Sequence, residues 1–448
     1  MIDVMTTRFD GLTDTNRIRE IVTVRPNPVA DLGALETPVG AEKLSNALKE
    51  IYLPNQFSID LIKEMVGRAV LYCREVFDSE KSYLSRVYSP PDSEVAPICL
   101  TGLAGVGKSQ TIKALKKVLP SPVGLSLNHF EGVHKLTSHW YVSARGKAGG
   151  KQILADFIGE ESSKGRPTVA KLLVECRRRA NRDGVSLLML DETQHINTGD
   201  GVSRVTDILL TMAAIGPPMV YVSNYSLVHR LLRRNSEDKQ RLLVEPRIMV
   251  PDSPESEAWR DYIGECIRVS NGYLSSHEDE LIEEVYRSTF GIKRLAVQLI
   301  KIAFVESRVA GRQSIDISDV HRAYRSAEYS VNRADVEELQ RQAIESRTSG
   351  GRLDLRCPFE LPVHLKSNVI AFAKADRDQR VANKAFLSSL NEMERSTLAQ
   401  MSSDPPASNE GSLAPSKRKP VPKATKADLI DAFNQLLKPK PSGPRRPK

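Results

Sequence analysis

Cysteine is scarce in this 448-residue chain and poorly placed for structural use. The five cysteines, Cys73, Cys99, Cys176, Cys266 and Cys357, are odd in number, widely spaced and without a C-x-x-C pair, which argues against a disulfide framework and a thiolate zinc site. The eight histidines are equally scattered and show no H-E-x-x-H or related spacing, so no metalloenzyme signature is present. Long apolar runs are missing too. None approaches the ~20 residues that span a bilayer, and the start Met1-Ile2-Asp3-Val4 lacks the basic-then-apolar layout of a secretory signal. The expectation is a cytoplasmic protein with no membrane partner. Extremes of composition are also absent: 40% hydrophobic and 27% charged residues, with 26 Gly and 26 Pro, exclude a collagenous or wholly disordered chain. This length suits two to four domains.

The net charge is +8, which suggests a polyanionic partner only if the charge lies on the folded body. Most of it does not. From Ser403 onward ten Lys and Arg stand against four acids, which accounts for six of the eight net positive charges. A DNA contact by the body must therefore come from a local patch.

Residues 1–95 show helical apolar spacing through Ile59, Leu61, Ile62, Met65, Val66, Val70 and Leu71 and read as a helical N-terminal extension. Across 96–250 short apolar runs alternate with amphipathic stretches, the pattern of a parallel sheet between helices in an α/β fold. Residues 251–335 turn wholly helical, with Ile282, Val285, Leu295, Leu299, Ile302 and Ala303 on recurring faces. Residues 336–402 are expected to be helical without a motif. The Ser, Pro, Ala and Lys-rich stretch that opens 403–448 cannot bury enough apolar surface to fold, which predicts a partly disordered basic tail. Within it Thr425 can cap a short helix over 425–437, lined by Leu429, Ile430, Phe433, Leu436 and Leu437.

The strongest signal is Gly102-Leu103-Ala104-Gly105-Val106-Gly107-Lys108-Ser109, which follows the apolar Ile98-Cys99-Leu100 and precedes helix-forming residues from Gln110. It matches G-x-x-x-x-G-K-[ST] with strand, loop and helix in the required order. The glycines let backbone N–H groups face phosphates, Lys108 reaches β and γ oxygens, and the Ser109 hydroxyl takes one Mg²⁺ position. Residues Gly102 to Gln110 thus form the expected ATP site. Val185 to Leu190 is an apolar strand ending in Asp191-Glu192, the matching Walker B element: Asp191 to hold Mg²⁺ through water and Glu192, splayed to the other side, to deprotonate the attacking water.

Between the two motifs lie the Trp140-Tyr141-Val142 strand and a helix near Leu154 to Ile158, and after them a strand from Met219 that ends at Asn224. That order fits a P-loop ATPase of the AAA+ type, with an extra strand between the two Walker strands and an all-α lid. In such a sheet Asn224 is placed to hold the attacking water, the sensor 1 role. Phe290-Gly291-Ile292-Lys293-Arg294-Leu295 opens a lid helix, and AAA+ lids use this arrangement to swing a cation onto the γ-phosphate. Arg294 is preferred, with Lys293 behind it. Among Arg233, Arg234, Arg241 and Arg247, Arg241 is the preferred arginine finger toward a neighbouring protomer, then Arg247.

The run Leu188-Met189-Leu190-Asp191-Glu192-Thr193-Gln194-His195, the helix through Leu209 to Ile215 and Pro217-Pro218-Met219-Val220-Tyr221-Val222 resemble the TnsC/TniB family of AAA+ regulators of bacterial heteromeric DNA transposition. Some members carry Thr where Asn224 stands. The resemblance implies binding of ATP and Mg²⁺ and self-association into a ring or helical filament on double-stranded DNA, largely independent of sequence. It also implies coupling of a TniQ/TnsD-type target-selection protein to transposase subunits, disassembly on hydrolysis, and a bacterial, nucleoid-associated location. For the DNA track it points to Arg145, Lys147 and Lys151, in a loop that faces the axis of related assemblies. Two other readings share part of this pattern. One is an AAA+ replication initiator or helicase-loader-like ATPase, which normally appends a recognisable DNA-reading domain. The other is a nucleotide-switched signalling scaffold that binds no DNA.

Overall fold

The computed structural model describes residues 4–90, 95–127, 130–147, 149–159, 167–196, 201–274, 277–345 and 352–395. Seven strands are present among them: β1 (Ile98–Gly102), β2 (Val123–Leu127), β3 (Phe130–Leu136), β4 (His139–Ser143), β5 (Leu187–Asp191), β6 (Met219–Asn224) and β7 (Glu245–Met249). Five of them form one sheet in the order β4-β5-β6-β1-β7, each neighbour parallel to the next. The strand β6 therefore lies between the strand of the glycine loop and the strand of the paired acids. This is the α/β AAA+-type core anticipated above.

Burial explains which strands occupy the centre. Residues of β1 and β5 are buried throughout, whereas most of those in β4 and β7 are only half-buried, as expected when apolar runs are covered on both faces and the edges face solvent. Alternation then sorts side chains between the two faces. Leu187 and Met189 join a core with the helices Gln56–Val76 and Lys108–Val118, while Leu188 and Leu190 join another with the helices Gly150–Ile158, Val169–Arg182 and Val202–Ala213.

A third core holds the all-α lid, where Trp259, Tyr286, Leu299, Phe304 and Val320 come together from the helices Glu257–Val269, Glu278–Thr289, Lys293–Val309 and Ile317–Arg325. The N-terminal helices divide their allegiance. Met5, Ile18 and Ile62 enter the core beside β1, but Leu44 and Leu48 of the helix Thr37–Glu50 enter the lid core. Capping residues start several helices where the chain requires it: Asn55 accepts from the Ser58 N–H at 2.9 Å, and Asp316 with Asp319 forms a reciprocal capping box, each cap being worth about 1 kcal/mol.

The chain divides into compact units at Met1–Val381 and Ala382–Lys448. The first holds the sheet, the lid and the helix Ser330–Ile344, and the helix Val363–Ser389 begins in it. In the described part of the second, the Glu394 N–H is capped by Asn391 at 2.9 Å. The tail expectations, including the 425–437 helix, lie outside the described residues. Among the described residues no helix is long and apolar enough to cross a membrane, no group of three or more His, Cys, Asp or Glu is placed to hold a metal, and all five cysteines are free.

Candidate functional site

The carboxyl ends of the central strands converge on one edge of the sheet. In register, Gly102 of β1 stands opposite Asn224 of β6 on one side and Met249 of β7 on the other. Only glycine fits at 102, because a Cβ there would lie 2.3 Å from the Met249 carbonyl oxygen. The loop then turns through left-handed backbone at Gly105 (φ 90°) and Gly107 (φ 116°), which L side chains rarely adopt. Gly107 delivers the chain into the helix Lys108–Val118, whose first N–H groups and dipole suit an anion.

Lys108 is buried, and its Nζ donates to the carbonyl oxygens of Gly102 at 2.8 Å and Leu103 at 2.7 Å. Burial, reinforced by the Arg294 guanidinium and opposed by Asp191, pushes its pKa down to about 7. An incoming polyphosphate offers this ammonium stronger acceptors than two carbonyls and restores its charge.

The Ser109 hydroxyl donates to Asp191 Oδ1 at 3.1 Å, so the loop and the acid-bearing strand meet although they are not adjacent in the sheet. Asp191 is buried and also accepts the Glu192 N–H at 2.7 Å; burial raises its pKa despite these bonds. A hydroxyl and a carboxylate side by side form a hard-oxygen donor set of the kind Mg²⁺ takes, and Ser109 and Asp191 are the residues that could hold it. Glu192 has left-handed backbone (φ 55°), a conformation uncommon outside glycine that clusters at functional sites. It leads into a short 3-10 turn, Thr193–His195. The Thr193 hydroxyl anchors that turn by donating to the Val222 carbonyl of β6 at 2.8 Å. The neighbouring Gln194 leaves its Oε1 buried with no hydrogen-bond partner. Asn224 precedes the helix Tyr225–Leu231 without capping it.

From the lid, Arg294 reaches the glycine loop and Lys293 does not. The Arg294 N–H donates to the Gly105 carbonyl at 3.4 Å, and its Nε lies 2.7 Å from where a Gly105 Cβ would be. Lys293 instead pairs with Asp252 at 3.0 Å and lies over the Tyr262 ring. The four arginines proposed for the finger also separate: Arg233, Arg234 and Arg241 lie between β6 and β7, and Arg247 lies within β7, so none stands between sheet and lid. Arg247 is committed within its own chain, donating to Glu64 at 2.8 Å in a network that includes Arg68 and Glu245, and Arg234 pairs with Asp238. Arg241 is exposed on the helix Ser236–Leu242, 3.4 Å from Glu237, and Arg233 is exposed as well.

The loop after β4 reaches the same sheet edge, the Ala144 N–H donating to the Asp191 carbonyl at 2.8 Å. Arg145 is exposed in that loop and Lys147 is paired with Asp156, but Lys151, also exposed, lies in the first turn of the helix Gly150–Ile158 and not in the loop. Sequence reasoning missed the lead-in's part in the site. The Tyr52 hydroxyl lies 3.4 Å from that of Thr111, two residues beyond Ser109, and Asn55 donates to Asp252 at 2.6 Å. No local pattern marks contacts that span so much chain.

No family model matches the chain. Among curated proteins it is similar to an ORC1-type DNA replication protein of Picrophilus torridus, 23% identical over 248 residues, a match covering 54% of this chain and 58% of that protein. The chain thus spans little more than half the length of this curated relative. Among solved structures it is similar to the Aeropyrum pernix ORC1 protein in complex with DNA (14% identity, 65% of this chain and 80% of that one, TM-score 0.36). It is also similar to Drosophila ORC bound to DNA (15%, 81% and 86%, 0.38) and to the Thermotoga maritima RuvB Holliday junction branch migration motor (13%, 67% and 88%, 0.32). Superposition at this level carries no argument about function; the fold rests on the strand order and register above.

Proposed function

We propose that this chain is a magnesium-dependent ATPase of the AAA+ type that acts on duplex DNA and uses nucleotide as an assembly switch. The observation that carries the reading is the Ser109–Asp191 contact, made across the intervening strand β6 beside a left-handed glycine loop. In this reading Gly102 to Gln110 cradle the triphosphate and Lys108 leaves its two carbonyls for the β and γ oxygens. Bound Mg²⁺, held by Ser109 and Asp191, supplies neutralisation of phosphate charge. Glu192 takes the proton of the attacking water, Asn224 orients that water, and Arg294 senses the γ-phosphate from the lid. Arg241, exposed on the helix Ser236–Leu242, is the preferred trans finger, with Arg247, half-buried in β7 and bonded to Glu64, behind it. Arg145, Lys147 and Lys151 supply DNA phosphate contacts, with Lys147 weakened by its Asp156 pair.

Two finer readings follow. A replication initiator or helicase-loader-like role is favoured by the curated relative, itself named for DNA replication. A transposition regulator of the TnsC/TniB type, linking a TniQ/TnsD-type selector to transposase subunits, is favoured by the Leu188 to His195 run. Electron microscopy of the purified chain on plain duplex, with a slowly hydrolysed ATP analogue or ADP, separates them. Continuous filaments on any sequence with the analogue, lost with ADP, support the regulator. Discrete particles bound at one site support the initiator. Absence of nucleotide uptake by calorimetry removes both.

A further inference from the structure

Beyond the lid the chain packs on the helix Ser330–Ile344, on the residue after β6 and on the lid. Arg352 pairs with Asp335 of the helix Ser330–Ile344 at 2.7 Å. His229 Nε2 donates to the Arg356 carbonyl at 2.9 Å, and the Cys357 thiol meets the hydroxyl of Tyr225, the residue after Asn224. The helix Val363–Ser389 then crosses to the lid. There the Phe372 ring meets the Tyr286 ring edge-on, with centroids 4.9 Å apart. Asp376 is buried between Arg287 and Arg380, 2.5 Å from the latter.

Tyr286 is the pivot. Its hydroxyl is buried without a hydrogen-bond partner, so the ring is oriented by packing alone, against Trp259, Phe290 and Phe372. Its edge presses on Gly291: a Cβ there would lie 2.8 Å from Tyr286 Cε2 and 2.9 Å from the Asp252 carbonyl oxygen. Phe290 and Gly291 are both left-handed, at φ 54° and 68°, and a bulky residue holds that conformation only where its surroundings over-determine it. This compressed turn launches the helix whose second residue is Arg294, the residue that lies on Gly105.

We propose that Phe372 and Asp376 are positioning residues for Arg294. By fixing Tyr286 and Arg287 they hold the Phe290–Gly291 turn, and the turn aims Arg294 at the glycine loop. The proposal rests on the reading of Arg294 as the γ-phosphate sensor and extends it to residues that never touch nucleotide.

The test is ATPase kinetics and ADP affinity of the full chain carrying Phe372→Ala or Asp376→Asn, each alone and combined with Arg294→Ala. Phe372→Ala is expected to lower kcat about tenfold, with ADP affinity within about twofold of wild type, and to cause no further loss in the Arg294→Ala background. Simple loosening of the fold would act whether or not Arg294 is present, giving about a hundredfold loss in the double variant, and that result overturns the brace. Asp376→Asn leaves the Phe372 ring in place and gives the same reading if Phe372→Ala folds poorly. A slow Arg294→Ala beside a wild-type Phe372→Ala and a wild-type Asp376→Asn overturns the brace alone. A wild-type kcat for Arg294→Ala overturns the sensor reading, and the brace with it.

Discussion

The sheet edge and the lid both bury charge but partner it differently. At the sheet edge Lys108, Ser109 and Asp191 are bonded to one another's surroundings within a buried patch, and burial shifts both Lys108 and Asp191 toward their neutral forms. In the lid, buried carboxylates are matched by arginines, as Glu284 is by Arg287 at 2.5 Å and Asp319 by Arg312 and Arg322, and Arg294 is placed against the glycine loop. A buried carboxylate already paired with an arginine has its partner within the fold, whereas a desolvated ammonium held by two carbonyls interacts strongly with an anion that enters beside it. On the proposed reading, the sheet edge carries the chemistry and the lid its control.

Removing a buried cation from the sheet should have the largest effect. Lys108→Ala is expected to lower kcat/KM for ATP about a thousandfold, the upper end for loss of one preorganised donor to a developing charge; steady-state hydrolysis and nucleotide titration measure it. Near-normal turnover would place the chemistry elsewhere. Glu192→Gln keeps shape and removes the base, so kcat should fall about a hundredfold while nucleotide binding and assembly on DNA persist. If binding is lost instead, Glu192 holds the site together and does not act on water.

Burial in the sheet also predicts a pH dependence of stability. His139, at the start of β4, is pushed down to about 4 by burial, with Lys116 and Arg8 adding repulsion. Its folded pKa lies below the unfolded value of about 6.5, so below that pH the unfolded chain binds the extra proton, and stability falls until pH drops through about 4. The loss from this residue should reach about 2 kcal/mol at pH 5. Melting temperatures of wild type and His139→Gln between pH 7 and 5 should converge toward a shallower slope in the variant. Parallel slopes would show that His139 is already solvated.

How far this contrast could be read beforehand differs between the regions. The strand ends of the candidate site were legible because β1 and β5 are apolar runs closed by motif residues, and Met219 to Asn224 forms the strand that separates them. The hairpin of β2 with β3 was not anticipated: Gly124 and Gly132 interrupt it, and its alternation is weak. Preference for Arg294 over Lys293 came from its distance to Gly291, but what occupies Lys293 is Asp252, more than forty residues earlier and invisible to periodicity. Arg247 illustrates the same limit. Its partner Glu64 lies 183 residues away on a lead-in helix, and only the folded chain brings that helix against β7.

The segment after β4, the loop and the first turn of the helix Gly150–Ile158, tests the contrast from its weakest side, since its cations lie near the sheet edge but do not share its burial. Arg145 and Lys151 face solvent, whereas Lys147 is neutralised by Asp156. Reversing Arg145 and Lys151 together to Glu should weaken duplex binding about three- to tenfold at moderate salt and flatten the dependence of log K on log salt by about 2, as expected for two lost phosphate contacts. Lys147→Glu should do less, because its charge is already offset. ATPase activity without DNA should be unaffected in both variants. If Lys147→Glu alone matches the double variant, the Asp156 pair opens on binding and the loop rearranges around the duplex.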